Sequence, residues 1–255
     1  PHPPPPPTHP PRRAFRPAPA LPPARRAAFF PGQRGGGGGG LVAVEGAGLL
    51  LLDERLRNPE VLCDPEAGRT MNRYNDGAVD PRGRIWIGSM RLDGDEPTGF
   101  LHRVEPEGSW RTVLHNIAVS NGIAWSPDQR TMYFTDTGNR RIDAYDYNAN
   151  DGTIADRRDF AHITDGWPDG HCTDAQGGLW VAFWGGSRVT RYDASGAPTH
   201  EVRLPCANVT SCCFIGEDLD VLAITTARSD DPGAGALYAV RAEGITGTPS
   251  FLAGC

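Results

Sequence analysis

The feature that most restricts this chain is a pattern that returns four times. It is clearest in Asn75-Asp76-Gly77-Ala78-Val79, followed by the turn Asp80-Pro81-Arg82-Gly83 and the apolar run Ile85-Trp86-Ile87. Ser120-Asn121-Gly122-Ile123-Ala124-Trp125 leads through Pro127-Asp128 to Met132-Tyr133-Phe134, and Pro168-Asp169-Gly170-His171 leads through Asp174 to Leu179-Trp180-Val181. A fainter copy, Thr210-Ser211-Cys212-Cys213-Phe214, leads to Val221-Leu222-Ala223-Ile224. With Asp76, Asn121, Asp169 and Cys212 as equivalents, the steps are 45, 48 and 43 residues. Each unit holds strands and tight turns, and no amphipathic helix of any length interrupts them. Repetition at this period with strands as the only elements is how a β-propeller reads in sequence.

Strands are expected at 85–90, 99–104 and 110–115 in the first clear unit, and at 131–135, 141–146 and 160–163 in the second. The third unit has them at 179–184, 187–193 and 200–204, and the last at 221–225 and 236–240. Residues 41–44 and 48–53 read as a hairpin around Glu45-Gly46-Ala47, the second and third strands of a preceding unit. The inner strand of that unit would fall near 28–38, where proline and glycine leave it missing or wrecked. Residues 41–255 number 215, which is just under five blades, whereas a six-bladed ring needs roughly 270 at this period. The expected fold is therefore all-β: a five-bladed ring, or a six-bladed propeller with its first blade and part of its second missing or unfolded.

Composition divides the chain at residue 40. Residues 1–40 hold 13 of the 24 prolines, six arginines, no acid and the run Gly35 to Gly40. Proline supplies no amide donor and polyglycine no side chain to bury, so disorder is expected there. The segment reads either as a proline-rich linker or tail or as out-of-frame translation, the second being favoured. Residues 41–255 form the propeller domain. They carry 19 arginines against 31 acids, a formal charge of −12, which argues against nucleic acid as a partner and suits a divalent cation. The six cysteines show neither a CxxC pair nor zinc spacing and read as small buried thiols of a reducing compartment. No apolar run approaches a membrane span and no signal-peptide core is present, so a soluble cytoplasmic protein is expected.

In a propeller the residues opening the innermost strands face one mouth of a central channel. Asp76, Asn121 and Asp169 share that place, with Arg73 and Asn75 just ahead of the first. Three oxygen-bearing side chains aimed at one axis suit a hard cation, Ca²⁺, Mg²⁺ or Mn²⁺. The bland alternative is that Asn and Asp before Gly are ordinary turn formers; three in register argue against it.

Arg73-Tyr74-Asn75-Asp76-Gly77, Trp86-Ile87-Gly88-Ser89-Met90, Ser120-Asn121-Gly122, Pro168-Asp169-Gly170 and Thr210-Ser211-Cys212-Cys213-Phe214 together resemble the SMP-30/gluconolactonase/regucalcin (LRE) family, over residues 41–255 in order and spacing. The resemblance implies a six-bladed propeller that hydrolyses a sugar lactone with one divalent cation, Ca²⁺ first, with Zn²⁺, Mn²⁺ or Mg²⁺ as alternatives. It makes Asn121 and Asp169 metal ligands, Asp169 also the base that activates water, and Arg73 and Asn75 the groups that hold substrate oxygens. Asp76 is expected behind them, orienting ligands or a metal-bound water. The chain departs from the family in one respect. The Gly-Glu-Gly-Pro type motif that supplies a third, anionic ligand has no counterpart here, and the first acid, Glu45, falls on a second strand. Weak or absent metal binding is expected from that loss. A glutamate often found after the Gly-Ser-Met segment could be replaced by Asp93, Asp95 or Glu96.

Other candidates are weaker. His171 sits one strand position beyond a channel residue and is expected to face the blade core. Ser120 and Ser211 have no nearby His–Asp arrangement, which speaks against a serine hydrolase. Trp86, Tyr133 and Trp180 recur at steps of 47 and read as packing between blades. Asp143, Asp146 and Asp193 read as exposed strand-edge or turn acids. Two readings stand beside the lactonase: a non-catalytic propeller that binds Ca²⁺ or a partner protein, and an inactive truncated copy of the enzyme.

Overall fold

A computed structural model describes residues 28–33, 39–45 and 48–254 apart from 54, 56, 57 and 95, the first two stretches as backbone only. Short strands bounded by tight turns are joined by hairpins into five antiparallel sheets. The first holds β1 (Ala28–Gln33), β2 (Gly39–Glu45), β3 (Gly48–Leu52) and β4 (Glu60–Cys63). The second holds β5 (Asn72–Val79), β6 (Ile85–Arg91), β7 (Gly99–Val104) and β8 (Trp110–Ile117). The third is β9 (Ser120–Trp125), β10 (Thr131–Asp136), β11 (Arg141–Asn148) and β12 (Thr153–His162). The fourth is β13 (Trp167–Thr173), β14 (Leu179–Trp184), β15 (Arg188–Tyr192) and β16 (Pro198–Arg203). The fifth has three strands, β17 (Val209–Ile215), β18 (Val221–Thr226) and β19 (Leu237–Arg241). The inner strands follow one another about a common axis, β1 beside β5, then β9, β13 and β17. This is the six-bladed β-propeller fold, with five of its blades among the described residues.

The four blades from β5 to β19 stand where the repeat placed them. The innermost position of the first sheet, expected to be missing or wrecked, is held by β1, which pairs with β2 from Ala28↔Val44 to Gln33↔Gly39. Phe29 and Phe30 favour extended backbone. Pro31 is tolerated because β1 lies at a sheet edge, where a missing amide donor breaks no ladder on its free side. No helix among the described residues is long and apolar enough to cross a membrane.

Burial explains the strand patterns. The second strand of an internal blade is covered on both faces by neighbouring blades, so β14 reads as an unbroken apolar run, Leu179-Trp180-Val181-Ala182-Phe183, all buried. Outer strands such as β16 are exposed and polar along most of their length, which protects a free edge. Trp86, Tyr133 and Trp180 are buried between blades as expected. Trp86 meets Trp125 of the next blade edge-on, ring centroids 6.0 Å apart. Each such fully buried ring contributes about 1.5–3 kcal/mol.

A polar motif repeats beneath this packing. Asp80 accepts the indole N–H of Trp86 at 3.0 Å, Arg84 Nε at 2.6 Å and the Tyr147 hydroxyl at 2.8 Å. Two blades on, Asp174 accepts Trp180 Nε1 at 2.8 Å and Arg191 Nε at 2.6 Å, and also caps its own turn through Gly178 N–H. One carboxylate thus closes the Asp-x-x-Gly turn and anchors the tryptophan six residues on. One expected surface acid belongs inside as well: Asp143 is 1 % exposed, not a strand-edge acid. Its carboxylate faces Arg141 at 2.9 Å and Arg157 at 2.9 and 3.0 Å, and the paired arginines compensate its burial. Asp146, on the same strand, is exposed as expected.

The five described cysteines are free thiols, and Cys206 and Cys212 are buried as small apolar side chains. Cys213 is exposed, because its neighbour Cys212 takes the inward position of β17 and alternation turns the next side chain outward. Beyond β19 the chain crosses under the ring. Gly247 N–H bonds Leu219 O, Ala175 N–H bonds Thr246 O, and Gly254 N–H bonds Gly83 O. Phe251 packs on Trp125, centroids 6.5 Å apart, and residues 248–251 line a cavity of about 370 Å³ at that end of the channel.

Candidate active site

The opposite end of the channel is open, and there the inner strands share a device that the repeat alone does not reveal. β5, β9, β13 and β17 each carry a β-bulge toward that end, whereas β1 pairs with β2 in unbroken register. On β5, Asn75 and Asp76 together oppose Gly88, the register stepping from Tyr74↔Ser89 to Gly77↔Ile87. On β13, Asp169 and Gly170 oppose Ala182. The ladder of β9 slips at Gly122 and that of β17 at Thr210. A bulge sets two residues against one and bends the strand, turning side chains that alternation would send into the blade toward the axis.

The result is a cavity of about 640 Å³ whose lining includes Arg73, Asn75 and Asp76 from β5, Asn121 from β9 and Asp169 from β13. All five residues singled out in the sequence therefore border one space. Asn75 links two blades: its amide donates to Ser120 O at 2.7 Å and to Asn121 Oδ1 at 3.0 Å. Its own oxygen accepts Arg73 Nη1 at 2.7 Å, and that nitrogen also donates to Tyr74 O at 3.0 Å. Asn121 in turn donates from Nδ2 to Thr137 Oγ1 at 2.8 Å, and Thr137 donates to Pro168 O at 2.6 Å. A chain of bonds from Arg73 to the backbone beside Asp169 therefore crosses three blades and fixes which way each amide points. Asp76 lies behind this row. Burial pushes its carboxyl up to about 6, against the opposing Gly77 N–H bond at 2.8 Å.

Thr137, Trp167 and Trp184 also line the mouth and were not foreseen. Thr137 follows the end of β10 in a 3-10 turn with no strand alternation to mark it. Trp167 opens β13 two residues before Asp169, a proximity that could have flagged it.

His171 is buried but lines the lower cavity and not the mouth, whereas it was expected to face the blade core. Its Nδ1 lies 3.1 Å from Thr135 Oγ1, and burial pulls its pKa down to about 3. Ser120 Oγ is buried without a hydrogen-bond partner, and no histidine bonds it or Ser211 Oγ among the described residues. Asp93 and Glu96 are exposed and paired to Arg91 at 2.8 and 2.9 Å, away from the cavity lining; Asp95 and the side chain of Glu45 lie outside the described residues. Glu66, an unforeseen buried acid, does not stand in for the absent glutamate. Its carboxylate is taken up within its own blade by Ser89 Oγ at 2.6 Å, His102 Nε2 at 2.8 Å and Asn72 Nδ2 at 3.1 Å.

The donors at the mouth are all oxygen. Asn121 Oδ1 and the Asp169 carboxylate fit a hard divalent cation in chemical kind. Among the described residues no group of three or more His, Cys, Asp or Glu gathers to hold a metal, so water would complete the coordination.

Comparison with known proteins agrees with the fold. Residues 18–228 match the family model for the SMP-30/Gluconolactonase/LRE-like region. The chain is 35% identical to a protein of Sulfolobus acidocaldarius over 84% of this chain and 78% of that one. It is 32% identical to the regucalcin of Homo sapiens over 82% of this chain and 76% of the relative. Among solved structures, a luciferin-regenerating enzyme superposes with a TM-score of 0.82 at 30% identity, covering 91% of this chain and 83% of that one. A calcium-binding regucalcin from Agrobacterium tumefaciens gives 0.81 at 27% identity, covering 88% and 78%. A gluconolactonase from Xanthomonas campestris gives 0.65 at 27% identity, covering 79% and 68%.

Proposed function

The chain belongs to the SMP-30/gluconolactonase/LRE-like family, and from that premise we propose that it opens a sugar lactone by hydrolysis with a divalent cation, Ca²⁺ in the first instance. The observation that carries this reading is the convergence of Arg73, Asn75, Asn121 and Asp169 on one cavity, tied by the Asn75–Asn121 bond. A scaffold has no need to gather a guanidinium, two amides and a carboxylate at one mouth.

In this reading Asn121 and Asp169 hold the cation, which when bound supplies polarisation of the lactone carbonyl and a lowered pKa for water. Asp169 accepts the proton of the attacking water. The Arg73 fork donates to ring or hydroxyl oxygens, and the remaining acceptor capacity of Asn75 fixes their orientation. Thr137 accepts the Asn121 N–H, which leaves Oδ1, already accepting from Asn75, as the atom offered to a cation. Asp76, whose carboxyl is shifted toward neutrality by burial, orients the row from behind and carries no charge into the site at mildly acidic pH.

Hydrolysis of gluconolactone, followed by acid release with Ca²⁺, Mn²⁺ or Zn²⁺ added and then removed by chelation, tests the proposal. Metal-dependent turnover that Asp169→Ala abolishes is the expected result; turnover retained in that variant removes Asp169 from the mechanism. Among the described residues no group of three or more His, Cys, Asp or Glu gathers to hold a metal, which favours a second reading, a non-catalytic Ca²⁺-binding propeller. Calorimetric Ca²⁺ binding without lactone opening under any metal would select it.

A further inference from the structure

Resting on that reading, we propose that Trp167 and Trp184 form an aromatic wall that selects substrates presenting the C–H face of a sugar ring. Tryptophan is usually highly buried, yet these two are 36% and 39% exposed, and both border the cavity that holds Asp169. They face each other across the ladder as the pair Trp167↔Trp184, at the start of β13 and the end of β14. Both indoles therefore stand at the rim of the same blade.

The wall is braced. The Arg140 guanidinium carbon lies 3.7 Å from the Trp167 ring centroid, a stacked cation–π contact that covers part of the indole and fixes its plane. Gly185, at φ +71°, turns the chain sharply after Trp184, so the ring ends the strand and is not followed by another bulky side chain. Across β9 from this wall, β5 supplies Arg73 and Asn75, which line the same space and are polar. One side of the cavity thus offers hydrogen bonds and the other an apolar plane. A polyol without a ring would leave the indoles unmatched, and a flat hydrocarbon would leave Arg73 facing an apolar surface. A sugar lactone matches both, since its hydroxyls project from the ring edge while its axial hydrogens form an apolar face. Trp184, on which no guanidinium stacks among the described residues, takes that face directly; Trp167 is the positioning residue beside it.

The experiment measures kinetics of Trp184→Ala, Trp184→Phe and Trp167→Ala in the full chain on gluconolactone and on butyrolactone, which lacks the substituted ring. It is paired with calorimetric binding of gluconolactam, a non-hydrolysable ring analogue. Trp184→Ala is expected to raise KM for gluconolactone about tenfold with kcat within twofold, to leave butyrolactone unchanged, and to weaken gluconolactam about tenfold; Phe restores most of each loss. Equal changes on both lactones, no change on either, or no gluconolactam binding by the parent chain overturns the proposal. If no lactone is turned over at all, hydrolysis fails as the function, while tighter gluconolactam binding by the parent chain than by Trp184→Ala still upholds the aromatic wall and equal binding overturns it.

Discussion

Asn75, on one inner strand, donates its side-chain amide to Asn121 Oδ1 on the next at 3.0 Å, so two residues 46 apart in sequence hold each other's orientation at the channel mouth. The same amide anchors the Ser120 carbonyl at 2.7 Å. Asn75→Ala removes both bonds and the acceptor for Arg73. A buried acceptor left unpaired costs about 1–3 kcal/mol. We expect the melting temperature to fall by a few degrees in calorimetry and KM for the lactone to rise about tenfold, with the larger effect in KM because Arg73 loses its guide.

Gly122 lies beneath the His171 ring, and a Cβ there would run into it. The ring is buried and held at Nδ1 3.1 Å from Thr135 Oγ1, so shifting it toward the lower cavity breaks that contact. Gly122→Ala should therefore destabilise by about 1–3 kcal/mol, the range for overpacking a core. Trimming the obstacle should recover part of this, so Gly122→Ala with His171→Ala should cost less in urea unfolding than the sum of the singles.

Asp76 governs a pH dependence. Its pKa in the fold, about 6, lies above the ordinary carboxyl value because burial disfavours the charge. A group shifted upward contributes stability that is fully present below its unfolded pKa and is lost as pH rises through the folded one. Asp76→Asn should therefore be more stable than the parent at pH 8, by up to about 3 kcal/mol for a shift of this size. The advantage should disappear near pH 4, as unfolding curves at the two pH values would show.

Glu66 has the opposite sign. Burial raises its pKa, but the bonds from His102, Ser89 and Asn72 outweigh that and hold it below the usual value. Its contribution is present above the unfolded pKa and lost as pH falls through the folded one. Glu66→Gln should lose stability at neutral pH and lose progressively less on acidification, read by the same unfolding curves.

Asp174 carries Trp180, Arg191 and its own turn on one buried carboxylate. Asp174→Ala leaves the Arg191 charge unpaired inside the blade, which costs about 3–5 kcal/mol. Trp180→Phe removes only the indole bond and should cost less. Chemical denaturation of the two variants should rank them in that order.

The blades, their number from β5 onward and the tryptophans between them were legible in the chain itself, because a strand pattern repeated at a fixed step must stack to bury its faces. The polar residues before each turn glycine were legible for the same reason. What the chain did not disclose is how those residues face one another. Alternation assigns Asn75 and Asp76 to opposite faces, and only the bulges, formed where neighbouring strands press together, bring both to the channel. Asp143 was misread as a surface acid because its arginine partners reach it through cross-strand pairing that no local pattern records. Trp167 and Trp184 drew no attention in the sequence, and it is their place at a strand's first and last residue that leaves them at the mouth. Local periodicity sets which elements form; convergence on a site is set by contacts between residues tens of positions apart, which exist only once the blades have closed around their axis.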